Sequence, residues 1–193
     1  MSVRAAAVEA TRERILDAAY RAFMERWYDD VTLRDVAGDA GVALQTVVNH
    51  FGTKEALYGE VSDRFDDSIH AARWTVAPGD VAAIVTTLVD DYERTGEVVL
   101  RLLALEDRVP VVRPMIVRGR RSHREWVEHM FGATLTGLRG AARMRRVAQL
   151  VVALDVYTWK LLRLDNGLSR EHTIAAMREM VEALIDDKQG GSA

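Results

Sequence analysis

The stretch that decides the fold is TLRDVAGDAGVALQTVVNHF, residues 32–51. Thr32, followed three residues later by Asp35, resembles a capping box and predicts a helix that starts at the next residue. Gly41 suits the left-handed backbone of a helix end or a tight turn, so the helix is expected to stop there. A second short helix is predicted over Leu44–Phe51.

Apolar residues at helical spacing give these two helices, and a helix before them, one inward face each. The predicted inward residues are Ile15, Leu16, Ala19 and Phe23 in the first helix, Leu33, Val36, Ala37 and Ala40 in the second, and Val47 and Phe51 in the third. Three helices with a short turn between the last two predict a helix-turn-helix. The outward face of the third helix carries Leu44, Gln45, Thr46, Val48, Asn49 and His50.

The rest of the chain is also predicted to be helical, because strand signals are nearly absent and the breaks are short. The expected helix caps are Thr53, Asp80 and Ser169. Gly96 is expected to interrupt one helix, the helix that begins near Pro114 is expected to end near Gly140, and residues 147–162 are expected to form one apolar helix. The prediction is an all-α protein of about nine helices.

Two domains are predicted, a helix-turn-helix domain at residues 1–52 and a larger helical domain at 53–193. The chain has no cysteine, which excludes disulfides, thiol catalysis and zinc–thiolate sites. No apolar run is long enough to cross a membrane, and the first residues do not form a secretory signal. We therefore expect a soluble cytoplasmic protein.

No motif of an active site, a phosphate loop or a dinucleotide loop is present, so we expect no enzyme, no catalytic residue and no cofactor. Asp67 and His70 have the spacing of half a di-metal site, and Glu125 and His129 share a helix face. A di-iron bundle needs two such halves and two further carboxylates, so no metal site is predicted.

The net charge of −3 is unevenly distributed along the chain. Residues 1–60 and 61–100 are acidic, whereas residues 101–150 are strongly basic. The basic segment contains Arg118, Arg120, Arg121 and Arg124. It is interpreted as a solvated face, with an anionic ligand or a salt link to the N-terminal domain as alternatives. The stretch from Ala40 to Lys54 contains no acidic residue.

The helix-turn-helix stretch resembles the tetracycline-repressor-like (TetR) family of bacterial regulators. The resemblance lies in Thr32-Leu33-Arg34-Asp35-Val36-Ala37, in Ala40-Gly41-Val42-Ala43, and in Thr46-Val47-Val48-Asn49-His50-Phe51-Gly52-Thr53-Lys54-Glu55-Ala56-Leu57. Family members typically have T-[IL]-x-x-[IV]-A-x-x-A-G-V-[ST] followed by Y-x-[HY]-F-x-[NS]-K-x-x-L. Val48 departs from the usual aromatic residue, and Leu44 departs from a usually polar one.

The resemblance implies a role for each matching residue on double-stranded operator DNA. Thr32 and Arg34 would touch phosphate, and Gln45 and Thr46 would reach base edges in the major groove. Asn49 and His50 would contact base or phosphate, and Lys54 would hold a phosphate at the start of the fourth helix. Leu44 and Val48 complete the expected DNA-facing set.

The resemblance also implies a ligand-responsive regulator, most often a repressor released from a palindromic operator by a small molecule. The expected effector is largely apolar, and the candidate pocket residues are Trp74, Tyr92, Met115, Trp126, Met130, Tyr157 and Trp159. A homodimer through the last two helices, about residues 143–187, would give the two-fold symmetry of the operator. The resemblance also suggests that ligand binding shifts the fourth helix, which begins at Lys54.

Two alternatives remain open. The first is a helical-bundle enzyme or small-molecule carrier with an incidental helix-turn-helix match. The second is a protein–protein module that uses the N-terminal helices.

Overall fold

The computed structural model describes the backbone of residues 3–186 and the side chains of residues 5–64 and 73–186. Within that part of the chain every regular element is a helix, which confirms the predicted all-α class. The α-helices are α1 (Val3–Glu25), α2 (Leu33–Asp39), α3 (Leu44–Phe51), α4 (Lys54–Arg73), α5 (Val81–Leu103), α6 (Arg113–Met130), the single turn α7 (Gly132–Leu135), α8 (Gly140–Ala153), α9 (Val156–Lys160) and α10 (Arg170–Asp186).

Three short segments complete the helical structure. Residues Tyr28–Asp30 and Pro110–Val112 are 3₁₀ turns, and α9 continues as a π turn over Leu161–Asp165. None of the described helices combines the length and the apolar character that crossing a membrane requires.

The chain forms two compact units. Unit 1 contains residues 1–68 and 101–116, and unit 2 contains residues 69–100 and 117–193. Helices α4, α5 and α6 therefore each contribute residues to both units.

The core of unit 1 confirms the predicted inward faces of the first three helices. Ile15, Ala19, Val36 and Val47 are almost completely buried. Leu33 and Ala40 are partly buried against the same cluster. This small shared core holds α3 in place with its other face outward.

The helix ends that depend on local chemistry are also where the sequence predicts them. Thr32 and Asp35 form a complete capping box at the start of α2, and Gly41 has a φ of 66° directly after that helix. Thr53, Asp80 and Ser169 each accept a hydrogen bond from a backbone N–H three residues later. These ends need only neighbouring residues, which is why the sequence predicts them well.

The predicted break at Gly96 is wrong, because α5 runs through it without interruption. The ring of Trp159 lies directly against this position, and a Cβ on residue 96 would be 2.5 Å from Trp159 Cζ3. Gly96 is therefore needed for close packing and not for a turn.

Two predicted helix lengths are also wrong. The helix expected to reach Gly140 ends at Met130, and the chain turns again at Gly137 with a φ of 87°. The single apolar helix expected over residues 147–162 is divided after Ala153. Asp155 caps the new helix there by accepting a 2.9 Å hydrogen bond from the backbone N–H of Tyr157.

Candidate nucleic-acid interface

Helix α3 presents one polar face away from the core of unit 1. Val47 and Phe51 are buried, whereas Gln45 and Asn49 are exposed. Leu44 is 37% exposed at the beginning of the helix. Thr46, Val48 and His50 are intermediate in exposure. All six residues predicted to face DNA therefore retain accessible surface on one short helix.

Gln45 and Asn49 are joined by a hydrogen bond along the exposed face. Gln45 Nε2 donates to Asn49 Oδ1 at 2.9 Å. Residues four apart lie on the same side of a helix, so the bond needs no distortion. The pair leaves Gln45 Oε1 as an acceptor and the Asn49 amide N–H groups as donors, the combination that the major-groove edge of adenine requires.

Thr32 is already engaged by its capping box. Its hydroxyl donates to Asp35 Oδ2 at 2.8 Å and accepts from the Asp35 backbone N–H at 3.1 Å. The Thr32 backbone N–H also donates to Asp35 Oδ2, at 2.9 Å. The hydrogen bonds from the Thr32 hydroxyl and from this N–H hold the pKa of the Asp35 carboxyl below its usual value. Arg34 is exposed on the same helix.

Lys54 is the first residue of α4, and its side chain lies over the ring of Tyr28. Its Nζ is 4.1 Å from the centre of the Tyr28 ring, a cation–π contact. Partial burial lowers the pKa of Lys54, while Asp29 and Glu55 act in the opposite direction. The ring fixes the position of this ammonium group near the N-terminal end of the helix.

The acidic residues of the N-terminal region are partly neutralised by arginines. Asp17 forms a 2.9 Å ion pair with Arg64, and Asp29 forms a 2.8 Å ion pair with Arg108. The acidic balance of residues 1–60 therefore overstates the negative charge that these groups present to a partner.

The structure places six of the seven predicted pocket residues in unit 2. Tyr92, Trp126, Met130 and Trp159 are buried there, and Trp74 and Tyr157 are about half exposed. Met115 belongs instead to unit 1 and packs in the core cluster of that unit.

Two polar features of unit 2 have no counterpart in the sequence motifs. Arg73 and Asp91 form a buried ion pair with a 2.6 Å contact from Nη2 to Oδ2. Both ring nitrogens of His123 are buried, and burial lowers the pKa of this imidazole to about 3. Spacing along the chain gives no signal for the ion pair, because Arg73 and Asp91 come from different helices.

The basic segment of α6 is partly paired along its own helix. Arg121 and Arg124 form ion pairs with Glu125 and Glu128, respectively. His129 packs against the Trp74 ring at 5.3 Å between ring centres. Asp67 and His70 lie outside the side chains that the structure describes. Among the side chains described, no three His, Cys, Asp or Glu residues form a group able to hold a metal.

The sequence comparisons match the stretch that contains the helix-turn-helix. Residues 15–61 match the family model for bacterial regulatory proteins of the tetR family. The HTH-type transcriptional regulator AlkX of Mycobacterium tuberculosis is 37% identical over 65 residues, which cover 32% of this chain and only 31% of that protein. The HTH-type transcriptional repressor DhaR of Mycobacterium sp. is 25% identical over 188 residues, covering 90% of this chain and 92% of that protein.

Solved structures share the fold over more than nine-tenths of the chain. A transcriptional regulator from Rhodococcus sp. has a TM-score of 0.73 at 17% identity, over 91% of this chain and 96% of that one. A tetR-family transcriptional regulator from Streptomyces coelicolor has a TM-score of 0.67 at 18% identity, over 93% of both chains.

The fold and the exposed face of α3 define a helix-turn-helix transcriptional regulator that binds DNA. Residues 15–61 match the tetR family of bacterial regulatory proteins, in agreement with the resemblance in residues 32–57.

Proposed function

We propose that the protein is a one-component repressor that leaves a palindromic operator when a small molecule binds. The observation that carries the proposal is the outward face of α3, where Gln45 and Asn49 are exposed and hydrogen-bonded. The repressor role is supported by DhaR and by KstR2 of Rhodococcus jostii, which is 35% identical over 82 residues covering 39% of this chain and 40% of that protein. Both are named as transcriptional repressors.

Within this proposal residues 1–52 bind DNA, and residues 53–193 sense the ligand and dimerise. Gln45, Thr46 and Asn49 read base edges, with Leu44, Val48 and His50 beside them. Thr32, Arg34 and Lys54 contact phosphates and set the position of α3 on the duplex.

The double variant Gln45→Ala, Thr46→Ala tests the base-reading role. We expect it to weaken binding to the specific operator by at least about thirtyfold, because it removes two base contacts of roughly 1–3 kcal/mol each, and to leave binding to unrelated duplex almost unchanged. The measurement is a gel-shift titration with the DNA upstream of the protein's own gene and with a scrambled duplex of equal length.

Glu125→Ala is the control for this test, since Glu125 is an exposed residue of α6 in unit 2. It should bind both duplexes like the unaltered protein. An equal loss of the double variant on both duplexes would contradict base reading by α3.

We also propose that a second copy of the chain covers an apolar groove on the last helices. The groove is lined mainly by α8, the α9 region and α10, and includes Val152, Leu161, Leu162, Met180 and Leu184. Val152 is 64% exposed and Leu161 is 55% exposed in the single chain. A contiguous exposed apolar surface is costly, and a two-fold contact would bury the same residues from both copies.

The double variant Val152→Glu, Leu161→Glu should convert the dimer into a monomer, because four carboxylates would have to be buried at the two-fold contact. Analytical ultracentrifugation gives the mass of each form. Val8→Glu is the control, as Val8 is a similarly exposed apolar residue of α1, outside the groove. Equal masses for the two variants would count against this interface.

A further inference from the structure

We propose that Tyr28 is a positioning residue for DNA binding, whose ring holds the Lys54 side chain in place to contact a phosphate of the operator. The inference rests on the proposed phosphate contact of Lys54 and adds a second residue, itself almost completely buried, to the DNA-binding machinery. Tyr28 follows α1, Lys54 begins α4, and both residues belong to unit 1.

The contact between the two side chains is close. Lys54 Nζ lies 4.1 Å from the centre of the Tyr28 ring, well inside the distance of about 6 Å over which a ring face attracts a cation. Tyr28 is only 9% exposed, and partial desolvation strengthens such a contact. The ring covers one side of the ammonium group, so N–H donors remain for a phosphate oxygen.

Other aromatic residues hold the Tyr28 ring in its place. The Phe23 ring stacks on it with 6.1 Å between ring centres, and the Tyr58 ring meets it edge-on at 5.0 Å. Phe23 and Tyr58 are themselves 3% and 8% exposed and pack on each other at 4.7 Å. These packed rings give a long, flexible lysine side chain a rigid support.

The carboxylates near Lys54 have other partners. Burial lowers the pKa of Lys54, and the charges of Asp29 and Glu55 oppose this shift. Asp29 pairs with Arg108 at 2.8 Å, and hydrogen bonds from its own backbone N–H and from Thr53 hold the pKa of Glu55 below its usual value. The ring of Tyr28 therefore determines where the ammonium group lies, and the ammonium group remains available to an anion.

Holding Lys54 in place before DNA arrives should raise the affinity for DNA. Ordering one long side chain during binding weakens an interaction by about three- to tenfold. The ring has already restricted Lys54, so this loss is avoided when the phosphate binds. A phosphate carries no sequence information, so the gain should be the same on every duplex.

The test is a titration of DNA at several salt concentrations, with the DNA upstream of the protein's own gene and with a scrambled duplex of equal length. We expect Lys54→Ala to lower the salt slope by about 0.9 for each lysine that contacts a phosphate. Tyr28→Leu should weaken binding to both duplexes by the same factor, at least about threefold. Tyr28→Phe keeps the ring face and should bind like the unaltered protein.

The double variant Tyr28→Leu, Lys54→Ala separates positioning from a role in the core alone. If Tyr28 acts through Lys54, Tyr28→Leu should cause no further loss of affinity in the Lys54→Ala protein. A loss that persisted there would overturn the proposal, as would equal losses in Tyr28→Phe and Tyr28→Leu.

Tyr20→Leu is the matched control, because the Tyr20 ring also lies beside a cation. The Arg64 guanidinium is 6.0 Å from the centre of that ring, and Arg64 pairs with Asp17. Tyr20→Leu should bind both duplexes like the unaltered protein. A loss of affinity equal to that of Tyr28→Leu would overturn the proposal, because it would follow from removing any such ring.

A measurement on the unaltered protein decides the matter even if Tyr28→Leu does not fold. The lysines of the chain are Lys54, Lys160 and Lys188, so isotope labelling at lysine Cε gives few, separable magnetic-resonance signals. The Lys54 Cε protons should be shifted upfield by the Tyr28 ring and should stay so when the operator is added. An unshifted signal, or its return to the ordinary lysine position on DNA, would overturn the proposal.

The same titrations distinguish this inference from the proposed function. Specific binding to the operator with an unchanged affinity of Tyr28→Leu would retain the DNA-binding function and overturn the positioning role. An unchanged salt slope of Lys54→Ala would overturn the phosphate contact of Lys54 and the positioning role together, while base reading by α3 would stand.

Discussion

Replacing Asp91 by alanine is expected to lower the free energy of unfolding by about 3–5 kcal/mol. The side chains of Arg73 and Asp91 are only 9% and 2% exposed, and they are joined by contacts of 2.8 and 2.6 Å to the same carboxylate oxygen. Without Asp91 the guanidinium remains buried with its nearest countercharge removed. Chemical denaturation followed by circular dichroism measures the loss.

Asp107→Ala is the matched control for this prediction. Asp107 also pairs with an arginine, Arg113, at 2.8 Å, but its side chain is 90% exposed. Exposed pairs contribute only about 0–1 kcal/mol, so this variant should be nearly as stable as the unaltered protein. The double variant Arg73→Met, Asp91→Leu should recover most of the loss, because it removes both charges together. Equal losses of unfolding free energy in Asp91→Ala and Asp107→Ala would show that breaking the buried pair costs no more than breaking the exposed one.

Gly96→Ala is expected to destabilise the protein by about 1–3 kcal/mol, although alanine is usually the better helix former. The new Cβ would lie 2.5 Å from Trp159 Cζ3 and 2.8 Å from Cη2. The indole cannot move aside easily, since it is 2% exposed and its Nε1 donates to Glu93 Oε1 at 3.0 Å. The clash therefore outweighs the gain in helix propensity.

Gly119→Ala is expected to change the stability in the opposite direction in the same experiment. Gly119 is also inside a helix, but a Cβ there meets nothing within 4 Å. Alanine should stabilise the protein at this position by about 0.5–1 kcal/mol. Thermal unfolding of both variants decides the matter. If both substitutions raised the midpoint temperature of unfolding, the close packing at Gly96 would not contribute to the stability.

The features that could be predicted from the sequence are those that neighbouring residues determine. The capping box of Thr32 and Asp35, the positive φ of Gly41 and the burial of Phe51 follow from residues a few positions apart. The predicted helix break at Gly96 is wrong because, in a sequence, a glycine that permits close packing cannot be distinguished from a glycine that ends a helix. Its partner, Trp159, is far away along the chain.

The interior of unit 2 was less predictable for the same physical reason. Arg73, Asp91 and His123 come from three helices, and no periodic pattern connects them. Asp155 could have been recognised as a possible cap, but the surrounding apolar spacing favoured one long helix. Groups that converge from several helices cannot be found from their spacing along the chain, whereas α3 is a single local segment.

In the proposed DNA complex, the hydrogen bond between Gln45 and Asn49 makes the two amides one unit of recognition. Changing either residue alters the donors and acceptors that the other presents, so their effects on operator choice are non-additive. Under that proposal, we expect a change of operator sequence to require substitutions at both positions, and a single substitution at either one to give a protein that binds neither sequence well.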